Sequence, residues 1–297
     1  MLSWTFDAAG NLASKQEFKR PVVYLDHWAV RDFAADPVLA ARFTSALKVA
    51  HGTWAVSLLN LMEFIQLTDQ GQAAQFEELL EQALPDLFFI DFQAFGVMER
   101  ERELAMRQGR PRPAPYGDPE LLGVFADIRP DTPRPFTAKA LATVIVKHRN
   151  RLASGLERFQ NTIVERIELM RGQMKADAEL EQRVKGSHQA AKAQRTWLFV
   201  RELLGSLLLD RDKNLTRNDA MDLFHAIVPV AYCDFVLLDG QWEHRVRVTR
   251  DRLVAHKIGL TPAEVFSKRH GGLEHFLQRL EVAGAQSSAL PPAVPIA

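Results

Sequence analysis

The sequence contains a single cysteine, Cys233, among its 297 residues. An intrachain disulfide and a metal cluster built from cysteines are therefore excluded. Neither sign of charge dominates, because lysine plus arginine and aspartate plus glutamate both number 37. The net charge therefore does not indicate nucleic-acid binding by the protein as a whole, and any basic binding surface must be a local patch.

Long apolar runs are also missing. The longest one, residues 223–238, is interrupted by His225, Pro229 and Asp234, so it does not predict a membrane span. The first seven residues lack the basic region and the apolar stretch of a signal peptide. Hydrophobic residues make up 47% of the chain, enough for a packed core. A cytoplasmic protein with no membrane partner is the default expectation.

Three signatures of hydrolases and phosphate-binding proteins are absent. The sequence has no glycine-rich phosphate loop and no Gly-x-Ser-x-Gly motif. A phosphatase-type site would need an Asp-x-Asp pair after the first strand, whereas Asp26 is followed by His27 and Trp28. These three classes are therefore not favoured.

Short apolar segments alternate with helical ones in the first third of the chain. Strands are predicted at 22–26, 54–57 and 87–91, with amphipathic segments between them. This alternation predicts an α/β fold with a central, mostly parallel sheet. Residues 1–20 are polar and predict a short ribbon or arm.

The middle of the chain has a different pattern. Proline-rich segments at 110–119 and 129–135 predict loops. Apolar residues from Leu141 to Met174 recur with a mean step of about 3.7, which predicts one helix of more than thirty residues. This helix is expected to pair with another at 197–209, and strand signals return only at 235–238.

These patterns divide the chain into a split core and a helical insertion. The predicted limits are 20–95 for the first part of the core, 96–204 for the insertion, 205–284 for the second part with a C-terminal helix, and 285–297 for a disordered tail.

Four acidic residues are placed in or directly after apolar segments. Asp26 ends the first strand, Glu63 follows the second, Asp222 lies in a late apolar helix and Asp239 closes the last strand. Carboxylates beside buried strands require compensation for their lost hydration, and a hard cation such as Mg²⁺ provides it. The pattern predicts an acidic metal pocket at the carboxyl edge of the sheet.

At these residues the chain resembles the PIN-domain nucleases. That family has its first Asp directly after strand one, as Asp26 is, and a Glu on an early helix after a small hydroxyl residue, as in Ser57 to Glu63. Its third acid begins a late helix containing Ala, which the segment 219–222 resembles. Its fourth follows an apolar strand, as Asp239 does, although Leu-Leu-Asp replaces the frequent Thr-x-Asp.

The resemblance implies a PIN-like, three-layer α/β/α core interrupted by a long helical insertion, because 159 residues separate Glu63 from Asp222. It also implies that Asp26, Glu63, Asp222 and Asp239 hold Mg²⁺ or Mn²⁺. The implied activity is endonucleolytic cleavage of RNA by metal-activated water, with single-stranded DNA less favoured. A toxin or defence setting and an inhibitory protein partner are further implications, whereas a homodimer is expected only from the long predicted helix.

Several neighbours of these acids leave alternatives open. Asp219 and Asp222 are three residues apart on one helix face, so either can be the third ligand. Asp222 is preferred because Asp219 can cap the helix. His225 and Asp234 are candidates for contacting the ligands, but a lone helical histidine is more often structural, and Asp234 can equally be a turn residue.

Basic residues concentrate in the predicted insertion. Residues 134–195 contain 13 lysines and arginines against 6 acids. The candidate contacts with phosphate are Lys147, Arg149 and Arg151 in this segment, and Arg245 and Arg247 in a second run that continues to Arg250 and Arg252. A solvated helix face explains the same pattern equally well.

A non-catalytic function is the competing hypothesis. A PIN-like scaffold could use its long helix for association with a partner. Convergence of the four carboxylates would favour the enzyme, and divergence of Glu63 or Asp239 would favour the scaffold.

Overall fold

The structure is a computed structural model that describes residues 2–6, 12–65, 70–108, 115–121, 137–147, 149–186 and 194–288. The N-terminal strands β1, Leu2–Phe6, and β2, Leu12–Gln16, pair as an antiparallel hairpin. This agrees with the predicted ribbon.

Five further strands form one sheet in the order β5-β4-β3-β6-β7, and every neighbouring pair is parallel. The strands are β3 Val22–Leu25, β4 Thr53–Ser57, β5 Leu87–Ile90, β6 Phe235–Leu237 and β7 Glu264–Phe266. The predicted α/β fold with a parallel central sheet is confirmed. The sequence predicts no strand beyond 238, whereas the structure has β7 there; a strand of three residues is too short to show a period.

Both faces of this sheet are covered. All residues of β3, β4, β5 and β6 are buried. Because successive side chains on a strand point to opposite faces, complete burial requires packing on each side. This explains why the strands are continuous apolar runs without alternation.

Twelve α-helices are described, and the first five lie in the N-terminal part of the chain. They are α1 His27–Ala35, α2 Pro37–Val49, α3 Leu58–Ile65, α4 Gln70–Ala83 and α5 Ala94–Gln108. The others are α6 Ala138–Lys147, α7 Arg149–Ala176, α8 Ala178–Lys185, α9 Arg195–Leu209, α10 Arg217–Tyr232, α11 Gly240–Ala255 and α12 Gly272–Ser288. None of the helices in the described ranges is both long and apolar enough to cross a membrane.

The predicted single long helix is described as two helices, α6 and α7, and residue 148 between them lies outside the described residues. Helix α7 packs against α9, as predicted, and also against α10 and α3. Its contact with α10 includes Phe159 and Phe224, whose ring centroids are 4.6 Å apart. The segment assigned to an insertion therefore packs directly on helices that carry the candidate site.

The remaining predictions for this region have mixed outcomes. The limits 96 and 204 of the insertion fall inside α5 and α9. The loop predicted at 129–135 and most of the loop predicted at 110–119 lie outside the described residues. Helix α12 extends to Ser288, so the start of the predicted tail is helical, and 289–297 lie outside the described residues.

The chain order reverses at the centre of the sheet. From β3 the chain moves outward through β4 and β5, and later returns to β6 on the opposite side of β3. Crevices at the carboxyl ends of strands on either side of such a reversal are the usual ligand sites of open parallel sheets. The fold therefore directs attention to the ends of β3 and β6.

Candidate metal centre

Two of the predicted carboxylates follow the adjacent strands β3 and β6. The amide of Asp26 donates to the carbonyl oxygen of Leu237 at 3.0 Å, which holds the two strand ends together. Asp26 caps α1 by accepting from the amide of His27 at 2.6 Å. Asp239 caps α11, and one of its oxygens accepts from two amides of that helix at 2.8 Å each. Parallel pairing thus brings both acids to one edge of the sheet.

Glu63 is directed to this edge by the start of α3. The side chain of Asn60 donates to the carbonyl oxygen of Leu25 at the end of β3, at 3.0 Å. Its own amide oxygen accepts from the backbone amide of Ser57 at 2.9 Å. Glu63 lies three residues after Asn60 and so projects from the same side of the helix. Its Oε2 lies 3.6 Å from His27 Nδ1.

Helix α10 contributes His225 and Asp222, which are also three residues apart. The helix begins with a capping box in which Thr216 and Asp219 bond each other's backbone and side-chain groups. Asp219 also pairs with Lys213. Its carboxylate is therefore occupied in holding the helix start, which leaves Asp222 as the acid directed toward the other carboxylates.

The structure brings Asp26, Glu63 and His225 together. Each offers one ligand atom, and these atoms all lie within 4.8 Å of one another. Glu63 Oε2 and His225 Nε2 are 3.3 Å apart without the geometry of a hydrogen bond, and neither atom has a hydrogen-bond partner in the part of the chain that is described. Two buried ligand atoms without a hydrogen-bond partner, beside the second carboxylate, Asp26, fit a bound cation.

Asp222 and Asp239 lie near these three residues, because their charges affect the pKa values of the carboxyl groups in the pocket. Burial raises the pKa of Asp222 to about 7, and the charges of Asp26 and Asp239 add to the effect. Burial likewise raises the pKa of Asp26 to about 6, with a further contribution from Glu63 that His225 opposes. All four predicted carboxylates therefore interact electrostatically at one edge of the sheet.

The imidazole of His225 is the main positive charge among them. Burial lowers its pKa, but Glu63, Asp26 and Asp222 outweigh that effect and raise the pKa to about 9. Burial would raise the pKa of Glu63, yet the charges of His225 and His27 bring it below its usual value. With four carboxylates against one imidazolium, the pocket has an excess of negative charge, which a divalent cation would balance.

Three polar side chains support His225, and the sequence indicated only Ser57 among them. Its Nδ1 lies 2.5 Å from the hydroxyl of Tyr24, which lies 2.9 Å from Ser57 Oγ. Ser57 in turn contacts Asn60 at 3.0 Å. For Asn60, the only signal in the sequence was its position three residues before Glu63, which puts both side chains on the same side of a helix.

Asp234 does not belong to this site. It precedes β6, at the amino end of the sheet, where its carboxylate accepts from the amide of Val22 at 2.7 Å and pairs with Arg20. The full length of β6 separates it from Asp239. The expectation that Asp234 contacts the metal ligands is therefore wrong, and Asp234 closes the opposite end of the sheet.

The basic residues that were predicted to contact phosphate differ in their exposure. Arg245 is 9% exposed and is engaged by Ser206 at 3.0 Å and Asp210 at 2.6 Å, so its assignment to substrate binding is wrong. Arg247 and Lys147 are exposed on α11 and at the end of α6. The side chains of Arg149 and Arg151 lie outside the described residues.

A further basic residue, which the sequence did not indicate, packs near the end of β6. The side chain of Arg269 packs over Gly240, the residue after Asp239, and a Cβ atom there would lie 2.6 Å from its Nε. Arg269 is exposed. A side chain at position 240 would displace the arginine from this position, in which it lies next to the residue that follows Asp239.

A cavity of about 240 Å³ adjoins the pocket between α1, α3 and α4. Its lining includes the site residues His27 and Asn60, the aromatic rings of Phe64 and Phe76, and the amides of Gln72 and Gln75. Aromatic rings with amide groups can both stack on a planar ligand and bond to its edge.

The chain matches no protein-family model, and no curated protein or solved structure has significant similarity to it. The functional interpretation therefore depends on the residues and the geometry of the site. These offer carboxylate and imidazole ligands at the point where the order of a parallel sheet reverses.

Proposed function

We propose that this protein is a divalent-metal-dependent endonuclease with a PIN-like core, and that its substrate is RNA. The observation that carries the proposal is the convergence of Asp26, Glu63 and His225 within 4.8 Å, with two buried atoms that lack a hydrogen-bond partner in the described residues. The five-stranded parallel sheet and the order of the four acids support the PIN-like architecture.

Hydrolysis of a phosphodiester needs an activated water and stabilisation of the charge that develops on the phosphate. A bound Mg²⁺ or Mn²⁺ supplies both. Asp26 and Glu63 would hold the cation through carboxylate oxygens. Asp222 and Asp239 lie at the same edge, where their carboxylates can accept hydrogen bonds from water and orient it. No nucleophilic side chain is required.

The surroundings of the pocket suit a nucleic acid. Arg269, Lys147 and Arg247 supply exposed positive charge for phosphates. The adjoining cavity, lined by Phe64 and the amide side chains of Gln72 and Gln75, suits an unstacked base. RNA in preference to DNA follows from the family resemblance, as do a toxin or defence setting and an inhibitory partner.

The test is a cleavage assay on labelled RNA and single-stranded DNA with Mg²⁺, Mn²⁺ or EDTA. Asp26→Asn should lower turnover at least a hundredfold, because it removes a charged ligand at the centre of the group. The matched control is Asp251→Asn, an exposed acid on α11 that should cleave like wild type. Circular dichroism should show both variants folded.

Two results would count against the proposal. Full activity in Asp26→Asn, or cleavage that persists in EDTA, would contradict the assigned site. RNA binding without cleavage under any metal would support the non-catalytic scaffold instead.

A further inference from the structure

Four buried side chains connect the end of β3 to the metal pocket, and the direction of each hydrogen bond between them can be deduced. Tyr24, Ser57 and His225 have no exposed surface, and Asn60 is 5% exposed. Solvent water therefore does not form hydrogen bonds with these groups, so each polar hydrogen must be donated to another of the four side chains or to the neighbouring backbone.

The orientation of the Asn60 amide is set by two backbone groups. The amide of Ser57 can only donate, so the Asn60 atom at 2.9 Å must be its oxygen. The carbonyl of Leu25 can only accept, so the Asn60 atom at 3.0 Å must be its nitrogen. Both contacts require the same orientation.

These four side chains form a hydrogen-bond relay from Asn60 through Ser57 and Tyr24 to His225. The direction of its remaining hydrogen bonds follows from the number of hydrogens that each group can donate. Ser57 Oγ lies 3.0 Å from the Asn60 oxygen, which has no hydrogen, so Ser57 donates its single hydrogen there. Tyr24 must then donate to Ser57 Oγ at 2.9 Å. With its own hydrogen used, Tyr24 can only accept from His225 Nδ1 at 2.5 Å.

Nδ1 of His225 thus carries a hydrogen, so the additional proton of the metal-free imidazolium is on Nε2, and a cation that displaces this proton to solvent binds the Nε2 lone pair. Nε2 is the buried atom without a hydrogen-bond partner in the described residues, 3.3 Å from Glu63 Oε2. Metal-binding histidines are oriented in the same manner, by donating their other ring N–H to a neighbouring acceptor.

We propose that this relay makes His225 a nitrogen ligand of the metal, with Tyr24 and Asn60 as positioning residues, and that the site consequently selects Mn²⁺ over Mg²⁺. Mg²⁺ is bound through oxygen and retains its waters, whereas imidazole nitrogen suits transition metals. The inference rests on the metal site of the proposed function, but it does not depend on which reaction that site performs.

The experiment uses the full chain and measures metal binding without substrate. Dissociation constants for Mn²⁺ and Mg²⁺ are determined calorimetrically for wild type, His225→Gln, Tyr24→Phe and the control His275→Gln, an exposed histidine on α12. Electron spin-echo envelope modulation of bound Mn²⁺ is recorded with unlabelled protein and with protein containing ¹⁵N-histidine.

Wild type and the control should bind Mn²⁺ at least tenfold more tightly than Mg²⁺ and show a nitrogen coupling that changes with the histidine label. His225→Gln replaces the nitrogen with an amide oxygen, so it should lose the coupling and most of the preference for Mn²⁺, with little change for Mg²⁺. Tyr24→Phe should weaken Mn²⁺ binding by about tenfold and leave Mg²⁺ binding less affected.

Absence of a histidine coupling in wild type would overturn the inference. Because this measurement uses the wild-type protein, it tests the inference even if a variant fails to fold. An equal loss of both metals in His225→Gln would likewise overturn it, because a purely structural histidine would produce that result. A protein that shows the coupling but cleaves no nucleic acid would refute only the proposed function.

Discussion

Asp222 provides a sensitive test of the pocket because its carboxylate destabilises the metal-free protein. Asp222→Asn keeps the size of the side chain and removes its charge. Without metal, the variant should be more stable than wild type at pH 8 and equally stable at pH 4. The reason is that Asp222 is charged in the folded protein only at the higher pH.

The magnitude follows from the pKa of Asp222, which is raised from 3.8 to about 7, first by burial and then by the charges of Asp26 and Asp239. A folded-state pKa above the unfolded one means that the folded protein binds more protons between these values, so this contribution to stability falls as the pH rises from 4 to 7. The full shift corresponds to about 4 kcal/mol. Because Asp222 is partly exposed, water and salt screen the repulsion, and we expect about 1–2 kcal/mol.

The assay is urea unfolding of wild type and Asp222→Asn in EDTA at pH 4 and pH 8, with Asp251→Asn as the control. Adding Mn²⁺ at about 100 times its dissociation constant should stabilise wild type by about 2.7 kcal/mol, and the variant should lose most of that gain. A variant that is no more stable than wild type at pH 8, or one that keeps the full metal response, would refute the reasoning.

Three further predictions concern arginines with different environments. Arg171 is buried and donates to three backbone carbonyls, one in the last turn of α9 and two in the segment between α9 and α10. Arg171→Met should therefore lower the free energy of unfolding by about 2–3 kcal/mol in urea titration without altering the metal dissociation constant. Arg245→Gln should lower the free energy of unfolding by about 1–3 kcal/mol, because Arg245 is buried beside Asp210. Since this burial keeps Arg245 away from phosphates, the salt dependence of RNA binding should stay unchanged. Arg269→Gln should leave stability unchanged and reduce the slope of log K against log salt by about 0.7 in fluorescence anisotropy. Identical slopes for Arg269→Gln and wild type would remove Arg269 from the binding surface.

The fold was predictable where the information is local. The runs before Asp26 and Asp239 are short, apolar and uninterrupted, and buried parallel strands need that composition because helices cover both faces. The residue after such a strand necessarily lies at its carboxyl edge. The strand β7, by contrast, is three residues long, and no periodicity distinguishes it from a loop.

The candidate site was predictable only in part, because its partners are far apart in the sequence. Asp234 and Asp239 both flank β6 and look equivalent in the sequence, yet they lie at opposite ends of the sheet. Arg245 and Arg247 belong to one basic run, but helical geometry buries the first beside Asp210 and exposes the second.

The sequence by itself determined the buried strands β3 to β6, their parallel arrangement and the position of carboxylates directly after strands, because each depends on neighbouring residues and on the need to bury apolar side chains. Only the tertiary structure decided which polar groups meet. Tyr24 and His225 are separated by 201 positions and meet because β3 lies beside α10. Whether a buried histidine is structural or directed at a cation depends on which hydrogen-bond partners surround it, and those partners come from three separate elements that only folding brings together.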